Sequence, residues 1–308
     1  MTYLAKLQKT ARHRGVIPTV RHGVRFTIQK AGYPVFSKIL SPKTHEKLMA
    51  APVLGYWPQL EEPRSFSEKI ISRKLSGERA ELFSTVSDKY SVREYVKQKV
   101  GENLLTDLYF VGESSGEIPK NGLPEKFVIK ATHGSGMTIV VDDHREYDFD
   151  LIESKCKSWL ETPFGKKSRE YWYEEIQPRV VIEEYIDDPK HDIPPDFKFY
   201  VFNGRVEFVH VDFNRFSAER SRRFFDREWN ACDFRLDYPL GPTIDKPDRL
   251  DEMIKIAETL GEDFEFVRVD LYHTSDNRIY FGEMTLAPAA GTERFYPVEW
   301  DFKLGSYW

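Results

Sequence analysis

The stretch FVRVDLYHTSDNRIYFGEMTL, residues 266–286, constrains the fold most, because it favours one hairpin in one register. Residues 276–277 are Asp-Asn, and both side chains tolerate a left-handed backbone, which predicts a two-residue turn. Pairing across that turn places Asp270 opposite Glu283 on a polar face and sorts the apolar residues onto the other face. A slip of one residue would destroy this sorting. The apolar face contains Val267, Val269, Leu271, Gly282, Met284 and Leu286.

The two opposed acids need a compensating partner. In this register their Cβ atoms lie roughly 5 Å apart, and like charges directly opposite each other repel. A shared proton, a cationic side chain or a metal ion could compensate, and carboxylates beside a hydroxyl suit Mg²⁺. The alternative is a solvated surface pair relieved by Arg268, which faces Thr285. If the acids repel, replacing Asp270 or Glu283 by its amide is expected to leave the fold intact or to stabilise it without metal.

Composition bounds the class of protein. The 308 residues suffice for two domains or one large domain, and an aromatic content of 14% argues against wholesale disorder. The two cysteines, Cys156 and Cys232, offer neither metal-ligand spacing nor a disulfide framework. No apolar run reaches membrane-spanning length, and the N-terminal sequence lacks a signal-peptide core. These features predict a cytoplasmic protein.

Charge is distributed unevenly along the chain. The net charge is −5, yet residues 1–50 contain ten Lys and Arg residues and one acidic residue, Glu46. Such a basic segment can contact a membrane surface, a polyanion or an acidic partner. The alternative is that it packs against the acidic remainder of its own chain. We expect no nucleic-acid partner, and the segment would allow a peripheral position at the inner face of a membrane.

Helical signals dominate the first hundred residues. We expect residues 1–50 to be largely helical and residues 51–65, which contain three prolines, to form a loop. Ser65 and Glu68 have the spacing of a capping box, which begins a helix. A further helix is predicted over 87–101, ending at its glycine.

Strand signals dominate after residue 126. A second hairpin is predicted over 196–213, because the Asn-Gly pair at 203–204 suits a type I′ turn, and its alternation places Lys198 and Tyr200 on a polar face. Helices followed by hairpins predict an α+β fold with antiparallel sheets rather than alternating βαβ units. Further predicted elements are strands at 127–131, 137–143 and 180–186, and helices at 149–161 and 247–260.

A glycine-bearing loop joins two of these strands in FVIKATHGSGM, 127–137. Gly134 and Gly136 let backbone amides approach a phosphate closely, and Lys130 at the end of the first strand can reach the same phosphates. A plain flexible turn is the alternative interpretation of the loop.

Three further groups of charged residues could contact a ligand. Glu183 or Glu184 could hold ribose hydroxyls, with an edge-strand salt bridge as the alternative. Lys198 could bind phosphate or could extend along the surface to solvent. An arginine cluster suits carboxylate or phosphate recognition, with a solvated loop as the alternative. The cluster contains Arg215, Arg220, Arg222 and Arg223.

The motifs occur in a specific order: SFSEKI (65–70), DKYSVREYV (88–96), FVIKATHGSG (127–136), IEEYI (182–186), DFKFYVFNGRVEFV (196–209), RRFFDREWN (222–230), FVRVDLY (266–272), IYFGEMT (279–285) and LGSYW (304–308). This order resembles the ATP-grasp superfamily, specifically its TupA-like branch, which is named for teichuronopeptide biosynthesis. The resemblance implies an α+β ATP-grasp fold in which two subdomains with antiparallel sheets clasp a nucleotide. The implied segments are a basic, mainly helical extension (1–64), a helical lead-in (65–120), a small subdomain with the glycine loop (121–186) and a large subdomain with the metal site (187–308).

The resemblance also assigns roles to matching positions. ATP and Mg²⁺ are the implied cofactors, and Lys198 and Arg268 are the implied catalytic residues. Many ATP-grasp enzymes have an Asn where this chain has Thr285, so the site could hold one metal ion firmly rather than two. The implied nucleotide ligands are Lys89, Lys130, His133, Gly134, Ser135, Gly136, Glu183, Glu184, Tyr185, Ile186 and Lys198. The implied metal ligands are Asp270, Glu283 and Thr285, and the candidate substrate ligands are Arg215, Arg222, Arg223, Gly291 and Arg294.

The implied activity is that of an ATP-dependent carboxylate–amine ligase, which converts a carboxylate to an acyl phosphate that an amine then attacks. The branch's association suggests a uronic acid or glutamate polymer as the carboxylate, in the biosynthesis of a cell-surface polysaccharide. A glycosyltransferase is the first alternative, and its only supporting motif is Asp-Phe-Asp at 148–150, which we expect to cap a helix. A nucleotide-binding module without catalysis is the second alternative.

Overall fold

The computed structural model describes residues 40–143, 147–166, 168–191, 193–214, 217 and 219–308. Most of the predicted helical segment 1–50 and the candidate Arg215 therefore lie outside the described residues. The helices are α1 (Pro42–Leu54), α2 (Phe66–Ser76), α3 (Ala80–Ser87), α4 (Val92–Val100), α5 (Phe149–Leu160), α6 (Leu250–Gly261) and α7 (Glu299–Gly305). The strands are β1 (Leu108–Gly112), β2 (Phe127–Ala131), β3 (Thr138–Val141), β4 (Val180–Glu184), β5 (Asp196–Phe202), β6 (Arg205–Phe213), β7 (Ser221–Asp226), β8 (Phe266–His273) and β9 (Ile279–Thr285).

The strands form two separate antiparallel sheets. A four-stranded sheet has the order β1-β4-β2-β3, and a five-stranded sheet has the order β7-β6-β5-β8-β9. Helix α5 packs against the small sheet, whereas α6 packs on β5, β6 and β8 of the large sheet. The predicted α+β class with antiparallel sheets is confirmed.

The β8–β9 hairpin has the predicted register at its acidic pair, although its turn differs. Asp270 lies opposite Glu283, as predicted. The turn contains three residues instead of two, because the Thr274 N–H donates to the Arg278 carbonyl, and Asn277 takes the left-handed conformation with φ 69°. A bulge at Gly282 then restores the predicted register. Because of this bulge, Phe281 and Glu283 point to opposite faces of the sheet.

The β5–β6 hairpin turns where predicted, but its faces are not sorted as predicted. The turn residues 203–204 have φ values of 48° and 76°, as a type I′ turn requires. A bulge after the turn brings Phe208 opposite Tyr200, where regular alternation predicted Glu207. The predicted polar face is wrong, because Lys198 is 4% exposed and Tyr200 is 2% exposed. Aromatic side chains from α2, β7 and β8 cover Tyr200.

Two boundaries in the helical region also differ from the predicted ones. Helix α1 continues through Pro52 to Leu54, so the loop predicted over 51–65 begins later. The helix predicted to begin at residue 87 begins later, at the first residue of α4. Ser87 is instead the last residue of α3, and the Asp88 side chain accepts hydrogen bonds in the turn that leads into α4. The capping box is confirmed, because the Ser65 and Glu68 side chains bond each other's backbone N–H groups at the start of α2.

Helix α1 is anchored to the rest of the molecule. Glu46 is buried and makes ion pairs with Lys74 at 3.0 Å and Arg169 at 3.2 Å. Beyond α1, the Tyr56 hydroxyl donates to Asp301 over 2.6 Å. The described part of the predicted extension is therefore packed against the body of the protein.

Candidate functional site

One side chain from each strand of the large sheet forms a row across its width. The pairing runs without interruption from β7 to β9, so neighbouring members lie directly opposite each other. The members of this transverse row are Phe224, His210, Lys198, Asp270 and Glu283. Sequence reasoning had identified the last three members only.

Arg268 and Lys198 neutralise the acidic end of the row. The Arg268 guanidinium donates to both oxygens of Asp270, over 2.6 and 2.7 Å, and to Glu283 over 2.9 Å. Lys198 donates to Asp270 over 2.8 Å and also contacts Asp196. The cationic side chains are thus the compensating partners of the opposed acids.

Burial distinguishes the two acids. Asp270 is 2% exposed, whereas the Glu283 side chain is 47% exposed. Burial favours a raised pKa for Asp270, but Arg268 and Lys198 outweigh it and hold that pKa below its ordinary value. Burial opposes the charged form of Arg268, yet Asp270 and Glu283 hold its pKa well above the ordinary value. The alternative of a solvated surface pair is therefore wrong for Asp270.

The chemistry of the donor set fits one hydrated magnesium ion better than an all-protein cage. The described residues contain no group of three or more His, Cys, Asp or Glu side chains that could hold a metal. Asp270 and Glu283 offer carboxylate oxygens, and the Thr285 hydroxyl lies 3.1 Å from a Glu283 oxygen. Mg²⁺ commonly keeps several waters and binds one or two carboxylates together with phosphate oxygens, so these residues suit it.

On the small sheet, Lys130 and Glu183 form a close ion pair. The Lys130 ammonium lies 2.6 Å from one Glu183 oxygen, and Arg93 lies 3.2 Å from the other. Glu183 is 5% exposed and is therefore the inward-pointing member of the Glu183–Glu184 pair. This face of the sheet presents two cations around one acid.

Lys89 binds the backbone of the glycine loop. Its ammonium donates to the Gly134 carbonyl, and its N–H donates to the Thr132 carbonyl over 3.2 Å. Burial lowers the pKa of Lys89, and the nearby Lys130 lowers it further, while Glu283 and Glu183 oppose both effects. Lys89 is therefore within electrostatic reach of one acid on each sheet.

The members of the glycine loop point in different directions. His133 is 2% exposed, and its ring shares a hydrogen bond of 3.1 Å with the Trp159 carbonyl of α5. Burial lowers the pKa of His133. Ser135 and Gly136 are exposed, and Gly136 has φ 76°. Thus His133 anchors the loop, and its exposed tip is the part that could approach a phosphate.

Of the predicted hinge residues, Glu184 ends β4, the strand that carries Glu183, and Tyr185 and Ile186 follow it. The Glu184 side chain accepts a hydrogen bond of 3.1 Å from the Asp107 N–H, and the Lys126 ammonium lies 5.4 Å from the Tyr185 ring centre. All three hinge residues are partly exposed.

The candidate substrate residues do not form one group. Arg222 lies in the interior, where it donates to Asp212 over 2.8 Å and to Glu293 over 2.7 Å. Arg223 instead donates to the Gly241 carbonyl, over 2.9 Å.

Gly291 and Arg294 lie close to the helices α2 and α1. A Cβ on Gly291 would meet Ile70 of α2 at 2.9 Å, so this glycine permits close packing. The Arg294 guanidinium lies against Gly55, just beyond α1, and 5.2 Å from the Tyr296 ring centre.

Several buried polar residues beside the row were missed by sequence reasoning. His210 stacks on Phe224, and burial lowers its pKa to about 4, so it is neutral near pH 7. Asp212 accepts hydrogen bonds from Arg220 and Arg222. The alternation in FVHVDF could have identified His210 and Asp212 if the bulge in β6 had been foreseen.

Two antiparallel sheets, with Lys130 and the glycine loop on the smaller and with Arg268 and the acidic end of the transverse row on the larger, define the ATP-grasp class of proteins. The chain belongs to the TupA-like ATP-grasp family, whose family model matches residues 68–308. The predicted resemblance over about 65–308 is confirmed.

Solved structures similar to this chain include three ATP-grasp proteins. D-alanine–D-alanine ligase from Bacillus anthracis, solved with ATP, is 16% identical over 67% of this chain and 57% of its own, with a TM-score of 0.40. The purK N5-carboxyaminoimidazole ribonucleotide synthetase, solved with ADP, is 12% identical over 67% of this chain and 46% of its own, with a TM-score of 0.41. The ATP-grasp ligase PsnB, solved with Mg and ADP, is 13% identical over 71% of this chain and 58% of its own, with a TM-score of 0.36. The chain thus spans less than two thirds of the length of each.

No curated protein matches the chain in sequence. Within the part of the chain that the structure describes, no helix has the length and apolar character needed to cross a membrane.

Proposed function

We propose that this protein is an ATP-dependent carboxylate–amine ligase that activates a carboxylate as an acyl phosphate. The observation that carries the proposal is the acidic end of the transverse row, where Arg268 binds Asp270 and Glu283, with Lys89 within electrostatic reach of Glu283. A cation suited to phosphates and acids suited to a metal support phosphoryl transfer at this end of the row. Membership in an ATP-grasp family supports ATP as the nucleotide.

Phosphoryl transfer requires mainly positioning and charge neutralisation from the protein. Lys89 and Lys130 would bind the ATP phosphates, and Arg268 would contact the transferred phosphoryl group. Lys198, which donates a hydrogen bond to Asp270, would reach the nucleotide from the large sheet. Bound Mg²⁺, held by Asp270 and Glu283, would neutralise phosphate oxygens.

The second step joins the two substrates. The amine attacks the acyl carbon, a C–N bond forms, and the bond from that carbon to the phosphate oxygen breaks. The exposed tip of the glycine loop would exclude water, which would otherwise hydrolyse the acyl phosphate. The hinge residues Glu184, Tyr185 and Ile186, together with Glu183, would bind adenine and ribose.

We further propose that the acceptor carboxylate belongs to a uronic acid or glutamate polymer of a cell-surface polysaccharide. The association of the family's name with teichuronopeptide supports this substrate class. Among the described candidates, Arg294 remains for the acceptor, since Arg222, Arg223 and Gly291 have structural partners. Contact with a membrane surface or a polyanion, through the basic residues of 1–50, belongs to the same proposal.

The glycosyltransferase alternative loses its supporting motif. Asp148 caps α5 by accepting hydrogen bonds from the Asp150 and Leu151 N–H groups, over 2.9 and 3.2 Å. Asp150 pairs with Lys120 at 3.0 Å. These aspartates therefore have structural roles at the start of a helix.

The deciding assay is Mg²⁺-dependent formation of ADP and phosphate in the presence of candidate carboxylates and amines. A glycosyltransferase would instead consume a sugar nucleotide, and a binding module would bind ATP without turnover. Lys130→Ala is expected to weaken nucleotide binding by about 1–3 kcal/mol, the contribution of a charge-assisted hydrogen bond. Lys120→Ala, which changes an exposed lysine outside the site, is the matched control. An unaltered dissociation constant in Lys130→Ala would contradict the assignment of Lys130.

A further inference from the structure

One buried carboxylate fixes the chain that follows the hinge residues to the large sheet. Asp188 lies two residues beyond Ile186, and its side chain is fully buried. One of its oxygens accepts a hydrogen bond of 2.8 Å from the Ser275 N–H, and the other accepts one of 2.7 Å from the Ser275 hydroxyl. The two residues are 87 positions apart in the chain, so these bonds join distant segments.

The attachment point lies on the hairpin that carries the two opposed acids. Ser275 belongs to the turn between β8 and β9. Arg249, which directly precedes α6, donates to the Asn277 carbonyl of the same turn over 2.7 Å. The His273 N–H, at the end of β8, donates to the Pro195 carbonyl over 3.2 Å. The turn is therefore held by contacts from two other segments and offers a fixed anchor.

Asp188 also shapes its own loop. The Lys190 and His191 N–H groups donate to Oδ1 over 2.8 and 3.1 Å, and Nδ1 of the His191 ring lies 3.0 Å from the same oxygen. Burial favours a raised pKa for Asp188, but the hydrogen bonds from Ser275, Lys190 and His191 outweigh it and hold that pKa below its ordinary value. The carboxylate is therefore charged at neutral pH, and charge-assisted hydrogen bonds are about twice as strong as neutral ones.

The preceding residue, Asp187, contacts the small sheet instead. Its carboxylate lies 3.0 Å from the ammonium of Lys126, which directly precedes β2. The two side chains are 70% and 44% exposed, and such exposed ion pairs contribute little to stability. The chain after the hinge is thus bound firmly to the large sheet and only loosely to the small one.

We propose that Asp188 is a positioning residue, which fixes the hinge residues to the β8–β9 hairpin and so sets where adenosine lies relative to the acid pair. This inference rests on the proposed function, because it assumes that the hinge residues bind adenosine and that the hairpin binds metal and phosphates. Neither Asp188 nor Ser275 is among the predicted site residues.

The test compares two probes on the full chain with Mg²⁺: AMP-PNP, which has an adenosine group, and inorganic tripolyphosphate, which has none. Asp188→Asn keeps the size of the side chain but replaces one acceptor oxygen by a donor. We expect it to weaken AMP-PNP binding by about tenfold in calorimetry, because ordering the hinge then becomes a cost of binding. Tripolyphosphate should bind as in the wild type, since it does not reach the hinge. Amide hydrogen exchange at residues 184–187 should be faster in the nucleotide-free variant.

Further variants separate positioning from general damage. Asp187→Asn is the matched control: it makes the same substitution one residue earlier, at an exposed pair, so both probes should bind as in the wild type. Ser275→Ala removes only the hydroxyl and should weaken AMP-PNP binding by about threefold to fivefold. The double variant Asp188→Asn, Ser275→Ala should bind AMP-PNP about as tightly as Asp188→Asn alone, because both changes break the same contact. If Asp188→Asn does not fold, Ser275→Ala carries the comparison of the two probes.

Each outcome decides a separate point. Equal weakening of both probes would overturn the inference, because Asp188 would then support the acid pair rather than the hinge. Wild-type AMP-PNP binding and exchange in Asp188→Asn would overturn it as well. If the wild-type protein binds neither probe, the proposed function fails. Exchange at residues 184–187 in the nucleotide-free variants then decides whether Asp188 holds the hinge.

Discussion

At the residue scale, the two opposed acids differ in what they contribute to stability. Asp270 is buried between Arg268 and Lys198, so removing its charge leaves these two buried cations with one acid each, Glu283 and Asp196. We expect Asp270→Asn to lower the free energy of unfolding by about 3–5 kcal/mol in urea denaturation. Glu283→Gln, at a half-exposed position, should cost at most about 1 kcal/mol. Repulsion between the acids alone predicted that neither substitution would destabilise the protein. Equal stability of both variants would support that earlier expectation.

A second residue, Asp301, makes stability depend on pH. Burial raises its pKa to about 6, although hydrogen bonds from Tyr56 and Ser67 lower it. The folded state therefore holds the proton more tightly than the unfolded chain does. The stabilisation is present below about pH 4 and is lost as the pH rises through about 6.

Comparison with Asp301→Asn isolates the contribution of Asp301, because all other titrating groups are the same in the two proteins. Between pH 4 and pH 7, we expect the wild type to lose about 2–3 kcal/mol of unfolding free energy relative to the variant. Urea denaturation at both pH values measures the difference. Parallel pH profiles for the two proteins would show that Asp301 has an ordinary pKa.

At the element scale, the loop after β9 is packed onto α2. Gly291 has φ 71°, and a Cβ there would lie 2.9 Å from Ile70 and 3.0 Å from the Ser67 carbonyl oxygen. Gly77 has a similar φ of 70° with nothing within 4 Å of its Cβ position, so it is a matched control. We expect Gly77→Ala to cost about 1–2 kcal/mol from the backbone conformation alone, and Gly291→Ala to cost more. Equal costs in chemical denaturation would show that Gly291 is not closely packed.

The hairpins show how far sequence predicts such elements. Alternation and turn residues predicted which acids lie opposite each other in β8–β9, because a one-residue slip would expose the apolar face. They did not predict the bulges at Gly282 and after residue 206, since an extra residue depends on tertiary contacts that local pattern does not contain. They also missed the burial of Lys198, because a second layer covers the face that looks polar in the sequence.

At the scale of the whole molecule, α1 determines how many N-terminal residues can be removed without loss of stability. Residues 1–39 contain eight Lys and Arg residues and no Asp or Glu. Removing 1–50 would also remove Glu46, which leaves the buried Lys74 without its partner. We expect a protein lacking 1–50 to be less stable than one lacking 1–39 by about 3–5 kcal/mol, measured by urea denaturation. Similar stability of both truncated proteins would contradict the role of Glu46.

Removing residues 1–39 alone tests the charge-based docking proposal. This protein should bind anionic liposomes and acidic polymers less tightly than the full chain, with a weaker dependence on salt concentration. Unchanged binding in sedimentation assays would discard the proposal.

The transverse row has a consequence for how specificity could change. Four inter-strand spacings of about 4.8 Å give it a span of about 19 Å. Phe224 at its far end is 1% exposed, whereas the Glu283 side chain is 47% exposed, so a ligand meets the row from the β9 end. Directed evolution toward new acceptors would therefore best begin beside β9, because changes at the β7 end repack the core.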